Sequence, residues 1–415
     1  MSNNRKFNLL LYVDRDLTIK DPIHREINFY NEKWILDFIA TPEFKRLKYV
    51  MQLGVSYKVF PSATNNRYMH SIGAFQVASK FMNELFPKVS TAEKKLFLIT
   101  ALLHDIGHGP FSHVFEKISN TSHECITKQI ILDSNSQINK LLIKNNIKPK
   151  EVVDVLDGVS KYDWINKLIS SNLDIDRIDY MLRDSYFLGT HYSTIDIDFL
   201  IKRTHFIDND IYFASSTINV IESFLLGRYY IHQDIYNNKH SYIYEWALVS
   251  IFSRLKEIKN QFIKYKEKIY YYHLYSKIVL ENKFEFDLNT FLHFTDTTFI
   301  SFIDSLRIMN DKIINSFLDA FFKEDGVVSL DYSKRNHIDE IIKDITHKID
   351  EKYLINELWK GEKIVYLDDE KYHINIIDTK TNKLYKFDHS KFVHFNNARK
   401  ENKDKIILVN KNLII

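Results

Sequence analysis

Hydrophobic residues recur at helical spacing along most of the chain, and the strongest pattern lies at residues 91–106. Near its end this apolar segment contains the pair His104-Asp105, and the sequence GHGP follows after Ile106. Glycine frees the backbone and proline cannot continue a helix, so the helix is predicted to end here. The pattern therefore predicts a buried helix whose end presents a histidine and a carboxylate.

The pattern elsewhere is also mostly helical. Thr41 and Pro42 predict an N-cap and a first helical position, with the helix running to Gly54. Weak alternation at residues 7–30 predicts a short hairpin, and alternation with turn residues returns from about Lys360. The expected fold is mostly α, with a short N-terminal hairpin and a small C-terminal α+β lobe.

Length and composition narrow the class of protein. The 415 residues suffice for one large domain or two, and we predict domains at 1–330 and 331–415. A hydrophobic fraction of 45% and a charged fraction of 27% are typical of a soluble globular protein. The net charge of +3 implies no strong attraction to nucleic acid or to a membrane. A single cysteine, Cys125, excludes an intrachain disulfide and a cysteine zinc cluster, so we expect a cytoplasmic protein.

The end of the central helix carries the first candidate chemistry. His104, Asp105, His108 and His113 follow one another within ten residues. Imidazole and carboxylate groups together form a ligand set for a first-row divalent metal. An isolated His-Asp pair is more often a hydrogen-bonded core histidine, but three histidines and one aspartate at a single helix end favour a metal site.

Further polar side chains recur at helical spacing. Asp176, Tyr180 and Asp184 share one face of a largely buried helix at 171–190, so their carboxylates need partners such as a metal ion or Arg183. Arg67 and His70 share a face at a predicted helix start, where His70 fits a buried polar residue or a ligand equally well. A basic and aromatic stripe on one helix face comprises Arg228, His232, Tyr236 and Lys239. An exposed helix face and a polyphosphate-binding face explain this stripe equally well.

The chain resembles the HD-domain metal-dependent phosphohydrolases. Their H…HD…D signature matches His70, His104-Asp105 and Asp176. The similarity extends to the dNTP triphosphohydrolase branch, which includes the sterile-alpha-motif/HD-domain enzyme and bacterial relatives, here without the sterile-alpha-motif domain. Six motifs in order carry this resemblance over roughly residues 20–245: TPEFKRLKYVMQLG (41–54), VFPSATNNRYMHSIG (59–73), LLHDIGHGPFSH (102–113), HE (123–124), LDIDRIDYMLRD (173–184) and RxxxHxxxY (228–236).

The resemblance implies an HD-domain helical fold and a reaction. A dNTP would be cleaved to a deoxynucleoside and inorganic triphosphate, by attack of metal-activated water at the α-phosphorus. The implied ligands of the metal are His70, His104, Asp105 and Asp176. Such ligands accept Mn, Fe, Mg, Ni or Zn, so the identity of the divalent ion stays open.

The resemblance also implies roles for further residues. Three histidines are implied to face the α-phosphate, one of them as general acid for the leaving oxygen: His108, His113 and His123. Two carboxylates, Glu124 and Asp105, are implied to orient these histidines. Other residues are implied to bind the substrate. Arg67, Arg177 and Arg228 would contact the phosphates, and Gln52, Tyr180, Asp184 and Tyr236 would contact the sugar. Leu53 would lie beside the base, and His232 of the last motif is also implied to bind substrate.

The resemblance also bears on regulation and assembly, and this chain departs from its relatives at the position that binds an activator. Relatives that are activated by a guanine nucleotide read it with an aspartate where this chain has Ala40. Lys45 and Lys48 replace a glutamine and an arginine of those relatives and are the candidates for holding an activator's phosphate. The family resemblance implies a homo-oligomer, a dimer or a tetramer.

Two alternatives remain open. The first is another HD phosphohydrolase, a nucleotidase or a cyclic-nucleotide phosphodiesterase, against which the three arginines argue. The second is a nucleic-acid-binding protein that uses the lysine-rich C-terminal region, against which the modest net charge argues.

Overall fold

The computed structural model describes residues 18–359 except 87, 194 and 344, and residues 373–388 and 405–414. The α-helices are α1 (Ile35–Ile39), α2 (Pro42–Lys45), α3 (Arg67–Leu85), α4 (Thr91–Leu103), α5 (His113–Ser119), α6 (His123–Leu132), α7 (Gln137–Lys144), α8 (Pro149–Leu156), α9 (Asp163–Ile169), α10 (Ile175–Leu188), α11 (Ile197–Ile201), α12 (Ile218–Ile231), α13 (Lys239–Glu257), α14 (Lys259–Lys264), α15 (Tyr272–Leu280), α16 (Leu288–Phe291), α17 (Asp296–Ser305), α18 (Lys312–Phe322), α19 (Arg335–Ile342), α20 (Glu351–Leu354) and α21 (Lys411–Ile414). The strands are β1 (Thr18–Asp21), β2 (Arg25–Asn28), β3 (Thr204–Ile207), β4 (Asp210–Ala214), β5 (Val327–Asp331), β6 (Ile355–Trp359), β7 (Asn375–Asp378), β8 (Lys383–Lys386) and β9 (Lys405–Asn410). The mostly helical prediction is confirmed.

The strands form three small sheets. β1 and β2 form an antiparallel hairpin with Ile19 opposite Ile27, which confirms the predicted hairpin from residue 18 onward; residues 7–17 lie outside the described residues. The second sheet has the order β3-β4-β7-β8, with β4 and β7 parallel, and the third has the order β5-β9-β6. The C-terminal strands therefore extend two sheets. The predicted domain boundary after residue 330 falls within β5, and the division into two domains stays a prediction.

Helix α4 lies at the centre of the core. Its N-terminus has a capping box, in which the side chains of Ser90 and Glu93 each accept from the other's backbone N–H. From Leu96 to Leu103 every side chain is buried. The helix ends at Leu103 and His104 is its C-cap, so it is three residues shorter than predicted, and its buried end carries His104 and Asp105 beside α3 and α10.

The helix predicted from Thr41 to Gly54 is wrong in its length. The side chain of Thr41 caps the N-terminus as predicted, but α2 ends at Lys45 and a 3₁₀-helix, Arg46–Tyr49, follows. Val50 is extended, and its carbonyl accepts from the backbone N–H of Arg67 at 2.9 Å. Pairing with the segment before α3 competes with helical hydrogen bonds and ends the helix.

The basic stripe does not lie on one helix. α12 ends at Ile231, and a single π-helical turn, His232–Tyr236, follows it. Lys239 begins α13 and is exposed. The π-helical turn aims the side chains of His232 and Tyr236 together into a cavity, and such turns are frequent at functional sites. Within the described ranges, no helix has the length and apolar character needed to cross a membrane.

Candidate active site

The start of α3 places His70 in the core beside three other candidate ligands. Asn66 caps this helix by accepting from the backbone N–H of Met69 at 3.0 Å. The Nε2 atom of His70 lies 3.0 Å from Oδ1 of Asp176 and 3.3 Å from Nε2 of His104. It also lies 3.5 Å from Oδ2 of Asp105. The structure thus brings together all four residues expected to bind a metal.

In both His70 and His104, a hydrogen bond at Nδ1 fixes the ring so that Nε2 faces the cluster of candidate ligands. His104 donates from Nδ1 to the carbonyl of Ala101, one turn back in α4, at 2.9 Å. His70 donates from Nδ1 to Oδ2 of Asp179 at 2.8 Å. The Nε2 atom of each ring therefore faces Asp176, and once it carries no proton this is the tautomer that metal ligation requires.

The electrostatics of the cluster fit a cation. Burial lowers the pKa of His70, but hydrogen bonds to Asp176 and Asp179 outweigh burial and raise it to about 10. Burial opposes ionisation of Asp176, yet hydrogen bonds from His104 and His70 hold its pKa well below its usual range. The cluster stabilises positive charge between its imidazoles and carboxylates. His70, His104 and Asp176 can each direct one ligand atom at a single divalent ion.

Three more histidines lie beside this cluster. His108 is buried, and its Nε2 lies 3.3 Å from Oδ1 of Asp105. Its ring stacks on His123 with centroids 3.8 Å apart, and the ring of His113 lies 5.3 Å away. Burial, together with the charges of Arg67 and His123, lowers the pKa of His108 well below its usual range. His108 is therefore a neutral imidazole in this site.

The carboxylate that holds two of these histidines is Glu116, which was missed from the sequence. Glu116 accepts from Nδ1 of His123 at 2.5 Å and from Nδ1 of His113 at 2.8 Å. Burial opposes its ionisation, but the two hydrogen bonds hold its pKa well below its usual range. Its position three residues after His113 on α5 was the available signal. Glu124 is exposed at the cavity, and within the described ranges no hydrogen bond joins it to the histidines, so its orienting role stays a prediction.

The three expected phosphate-binding arginines differ in their partners. Arg67 forms an ion pair with Asp105 and donates from Nε to Oγ of Ser112 at 3.0 Å. Arg177 forms an ion pair with Asp174, the N-cap of α10. Arg228 is buried, and its Nε and Nη1 atoms find no hydrogen-bond partner among the residues that the structure describes. An uncompensated buried donor is costly, so Arg228 is the arginine most in need of an anionic ligand.

Asp184 lies at the centre of the expected sugar site. Its two oxygens accept from the hydroxyl of Tyr236 at 2.6 Å and from Nδ2 of Asn65 at 2.9 Å. Burial raises the pKa of Asp184 to about 6. The ring centroids of Tyr180 and Tyr236 are 6.1 Å apart, so two tyrosines and one carboxylate enclose the same space. Asn65 was not predicted, although it lies in the second of the recognised motifs.

One cavity of about 520 Å³ joins most of these groups, but His70, His104 and Arg228 are not among its lining residues. It is lined by most of the expected site residues: Gln52, Leu53, Arg67, Asp105, His108, His113, His123, Glu124, Asp176, Arg177, Tyr180, Asp184, His232 and Tyr236. Lys45 and Lys48 are exposed and lie outside that lining, as far as the described part of the chain defines it. The volume is within the usual range of about 300–1,000 Å³ for small-molecule sites.

Comparison with known proteins places the chain in a family. Residues 67–183 match the model of the HD domain. The chain is 34% identical over 335 residues to an uncharacterised protein of Mycoplasma pneumoniae, an alignment that covers 74% of this chain and 77% of that relative. The chain belongs to the HD-domain family. The matched segment contains all four candidate metal ligands of this HD-domain protein.

Two further similarities agree with that assignment. The HD-domain chain is 30% identical over 276 residues to the deoxynucleoside triphosphate triphosphohydrolase SAMHD1 homologue of Dictyostelium discoideum, covering 60% of this chain and 51% of that relative. A phosphohydrolase from Bacteroides thetaiotaomicron has the same fold, with a TM-score of 0.79 and 23% identity over 95% of this chain and 99% of that structure. The resemblance found in the sequence is confirmed, and the chain is an HD-domain phosphohydrolase with a site able to hold a divalent metal.

Proposed function

We propose that this phosphohydrolase converts dNTPs to deoxynucleosides and inorganic triphosphate. One observation carries the proposal: a single cavity joins the candidate metal ligands Asp105 and Asp176 to the pair formed by Asp184 and Tyr236. The first pair would hold the metal ion that binds a phosphoryl group, and the second pair suits a sugar hydroxyl. Similarity to a dNTP triphosphohydrolase over 60% of the chain supports the same substrate.

The arginines support a polyphosphate rather than a monophosphate. Arg177 lines the cavity, and Arg228 brings buried donors without protein partners, within the described residues, close to Tyr180 and Asp174. A triphosphate carries dense negative charge, and guanidinium groups bind its oxygens through paired hydrogen bonds. We propose that Arg228 and Arg177 hold the triphosphate, and that Arg67 exchanges part of its contact with Asp105 for a phosphate oxygen.

The geometry around Asp184 supports a separate binding site for the sugar. Each oxygen of Asp184 accepts one hydrogen bond in the structure and retains capacity for another, so Asp184 is suited to accept from a 3′-hydroxyl. Tyr180 and Tyr236 stand against the same space. Close packing of these rings on the sugar would leave no room for a 2′-hydroxyl, which is the proposed basis for excluding NTPs.

The proton that the leaving 5′-oxygen needs is proposed to come from His113 or His123. Burial and nearby positive charges hold the pKa of His108 well below its usual range, so this ring resists the second proton that a general acid delivers. His113 and His123 each donate from Nδ1 to Glu116, which fixes both rings at the cavity wall, within reach of a bound phosphate. A divalent ion held by His70, His104, Asp105 and Asp176 would supply Lewis-acid chemistry, stabilising phosphate charge and lowering the pKa of water.

The metal's identity, the activator and the assembly remain parts of this proposal. The nitrogen and oxygen ligands suit Mn, Fe, Mg, Ni or Zn. Lys45 and Lys48 are exposed away from the cavity, which fits the binding of an activating nucleotide rather than of the substrate. We propose a homo-oligomer, a dimer or a tetramer, which sedimentation of the purified chain would test.

Product analysis tests the function directly. The purified chain is incubated with Mn²⁺ and each dNTP, singly and mixed, with NTPs as controls. Deoxynucleoside and inorganic triphosphate from single dNTPs are expected, and turnover only in mixtures would reveal an activating site. Release of monophosphate or orthophosphate would instead indicate a nucleotidase or phosphodiesterase, and no reaction would refute the proposal. As a matched variant, Tyr236→Phe keeps the ring but loses the hydroxyl that contacts Asp184, so KM for dNTPs is expected to rise.

A further inference from the structure

The turn of the N-terminal hairpin contacts Asp179, a residue that lies behind the candidate metal ligand His70. His24 lies between β1 and β2, and its Nε2 is 2.7 Å from Oδ1 of Asp179 on α10, 155 residues away in the sequence. Both side chains are buried, with exposed fractions of 4% and 0%. Through its other oxygen Asp179 accepts from His70, the candidate metal ligand. A short chain of hydrogen bonds thus joins the hairpin to that ligand.

The carboxylate of Asp179 has its full complement of partners. Oδ1 accepts from His24 and from Nη2 of Arg183 at 2.9 Å. Oδ2 accepts from His70 at 2.8 Å and from Nε of Arg183 at 2.9 Å. A carboxylate offers about four lone-pair positions, so these four contacts fix both its rotation and its plane. The ring of His70 is therefore oriented by a group that His24 helps to hold.

The hairpin turn is built on the same cluster. Arg183 also donates from Nη1 to Oδ2 of Asp21 at 2.7 Å. The other oxygen of Asp21 accepts from the backbone N–H groups of Ile23 at 2.9 Å and His24 at 2.8 Å, which fixes the turn. Two carboxylates, those of Asp21 and Asp179, face only one guanidinium, that of Arg183, so the groups behind His70 favour a cation on its other side.

We propose that His24 and Asp179 are positioning residues for the metal ligand His70, and that docking of the hairpin completes the metal site. Asp179 accepts a hydrogen bond from the Nδ1–H group of His70 and so turns Nε2 towards the metal site. His24 prevents the carboxylate from turning away. The inference requires the metal site alone and does not depend on dNTPs being the substrate.

Two variants of nearly equal size isolate the hydrogen bond. In His24→Gln the amide nitrogen occupies about the position of the ring Nε2 and can donate to Asp179, whereas His24→Met fills similar space without a donor. The full-length chain is stripped of metal and titrated with Mn²⁺ by calorimetry. Loss of outer-shell partners typically weakens metal binding by about 10–100-fold. We expect at least about a tenfold loss in His24→Met and near wild-type affinity in His24→Gln.

A hairpin control separates positioning from general loosening. Glu26→Gln removes the exposed ion pair with Lys20 in the same hairpin and is expected to leave the Mn²⁺ affinity unchanged. Wild-type affinity in His24→Met, or an equal loss in Glu26→Gln, would overturn the proposal. If His24→Met does not fold, His24→Asn replaces it, because its shorter amide does not reach Asp179; affinity equal to that of His24→Gln would then overturn it. Inactivity towards dNTPs would not affect these titrations.

Discussion

One methyl group added at Gly73 is expected to damage protein stability and the metal site together. Gly73 lies in α3 where this helix crosses α10. A Cβ atom there would be 1.9 Å from Oδ1 of Asp179 and 2.4 Å from Nη2 of Arg183. Neither group can withdraw, because both are completely buried and bonded to each other and to the hairpin. Gly73→Ala must therefore push the helices apart or break this ion pair.

The expected loss follows from two opposing contributions. Alanine favours a helix interior over glycine by about 1 kcal/mol. Breaking a buried ion pair costs about 3–5 kcal/mol, because it leaves a buried charge uncompensated. The free energy of unfolding should therefore fall by about 2–4 kcal/mol. As Asp179 also orients His70, Mn²⁺ binding should weaken by about 10–100-fold.

Urea unfolding of the metal-stripped protein and Mn²⁺ titration measure the two effects separately. Ala78→Gly is the matched control, since Ala78 is buried in the same helix. It is expected to cost about 1–2 kcal/mol through lower helix propensity and a small void, with unchanged Mn²⁺ affinity. If Gly73→Ala is as stable as the wild type, helix propensity outweighs the clash and the reasoning about this crossing is refuted.

Two other predictions concern Asp184, which lines the cavity, and Arg228, which is buried near Tyr180. Because burial raises the pKa of Asp184 to about 6, its carboxyl contributes stability that is complete below about pH 4 and lost as the pH rises through about 6. This contribution is about 3 kcal/mol at ~1.4 kcal/mol per pKa unit. In urea unfolding at pH 4 and pH 7.5, the wild type should lose about that much more stability than Asp184→Asn, and equal losses would contradict the burial argument. Arg228→Met should weaken binding of inorganic triphosphate about 10–100-fold in calorimetry, since hydrogen bonds to charged groups contribute about 1.5–3 kcal/mol. Arg228→Lys should be intermediate, because a lysine keeps the charge but not the paired donors, and unchanged affinity in Arg228→Met would exclude a phosphate contact.

The local elements that carry the candidate ligands could be predicted from the amino-acid sequence alone. The capping box at Ser90 and the glycines after Asp105 act within a few residues, so the helix that presents His104 could be predicted closely. The spacing of Asp176 and Asp184 on α10 depends only on helical periodicity. The resemblance added which of these residues belong together, and the structure brings them to one cavity.

The places where long-range hydrogen bonds replace local ones became visible only in the folded chain. The helix expected to reach Gly54 stops after Lys45 because Val50 pairs with Arg67. The stripe from Arg228 is interrupted by a π-helical turn before α13 begins. Periodicity predicts which residues share a face, but it does not reveal that another segment offers the backbone better partners.

The groups behind the ligands were likewise decided by packing. Glu116, rather than a neighbour in the recognised HE motif, accepts from two of the histidines, and Asp179 holds His70 while His24 approaches from the hairpin. A contact between residues 155 positions apart leaves no periodic trace in the sequence. The ligands could be predicted because helices position them locally, whereas their supports depend on which helix faces and turns meet once the chain is folded.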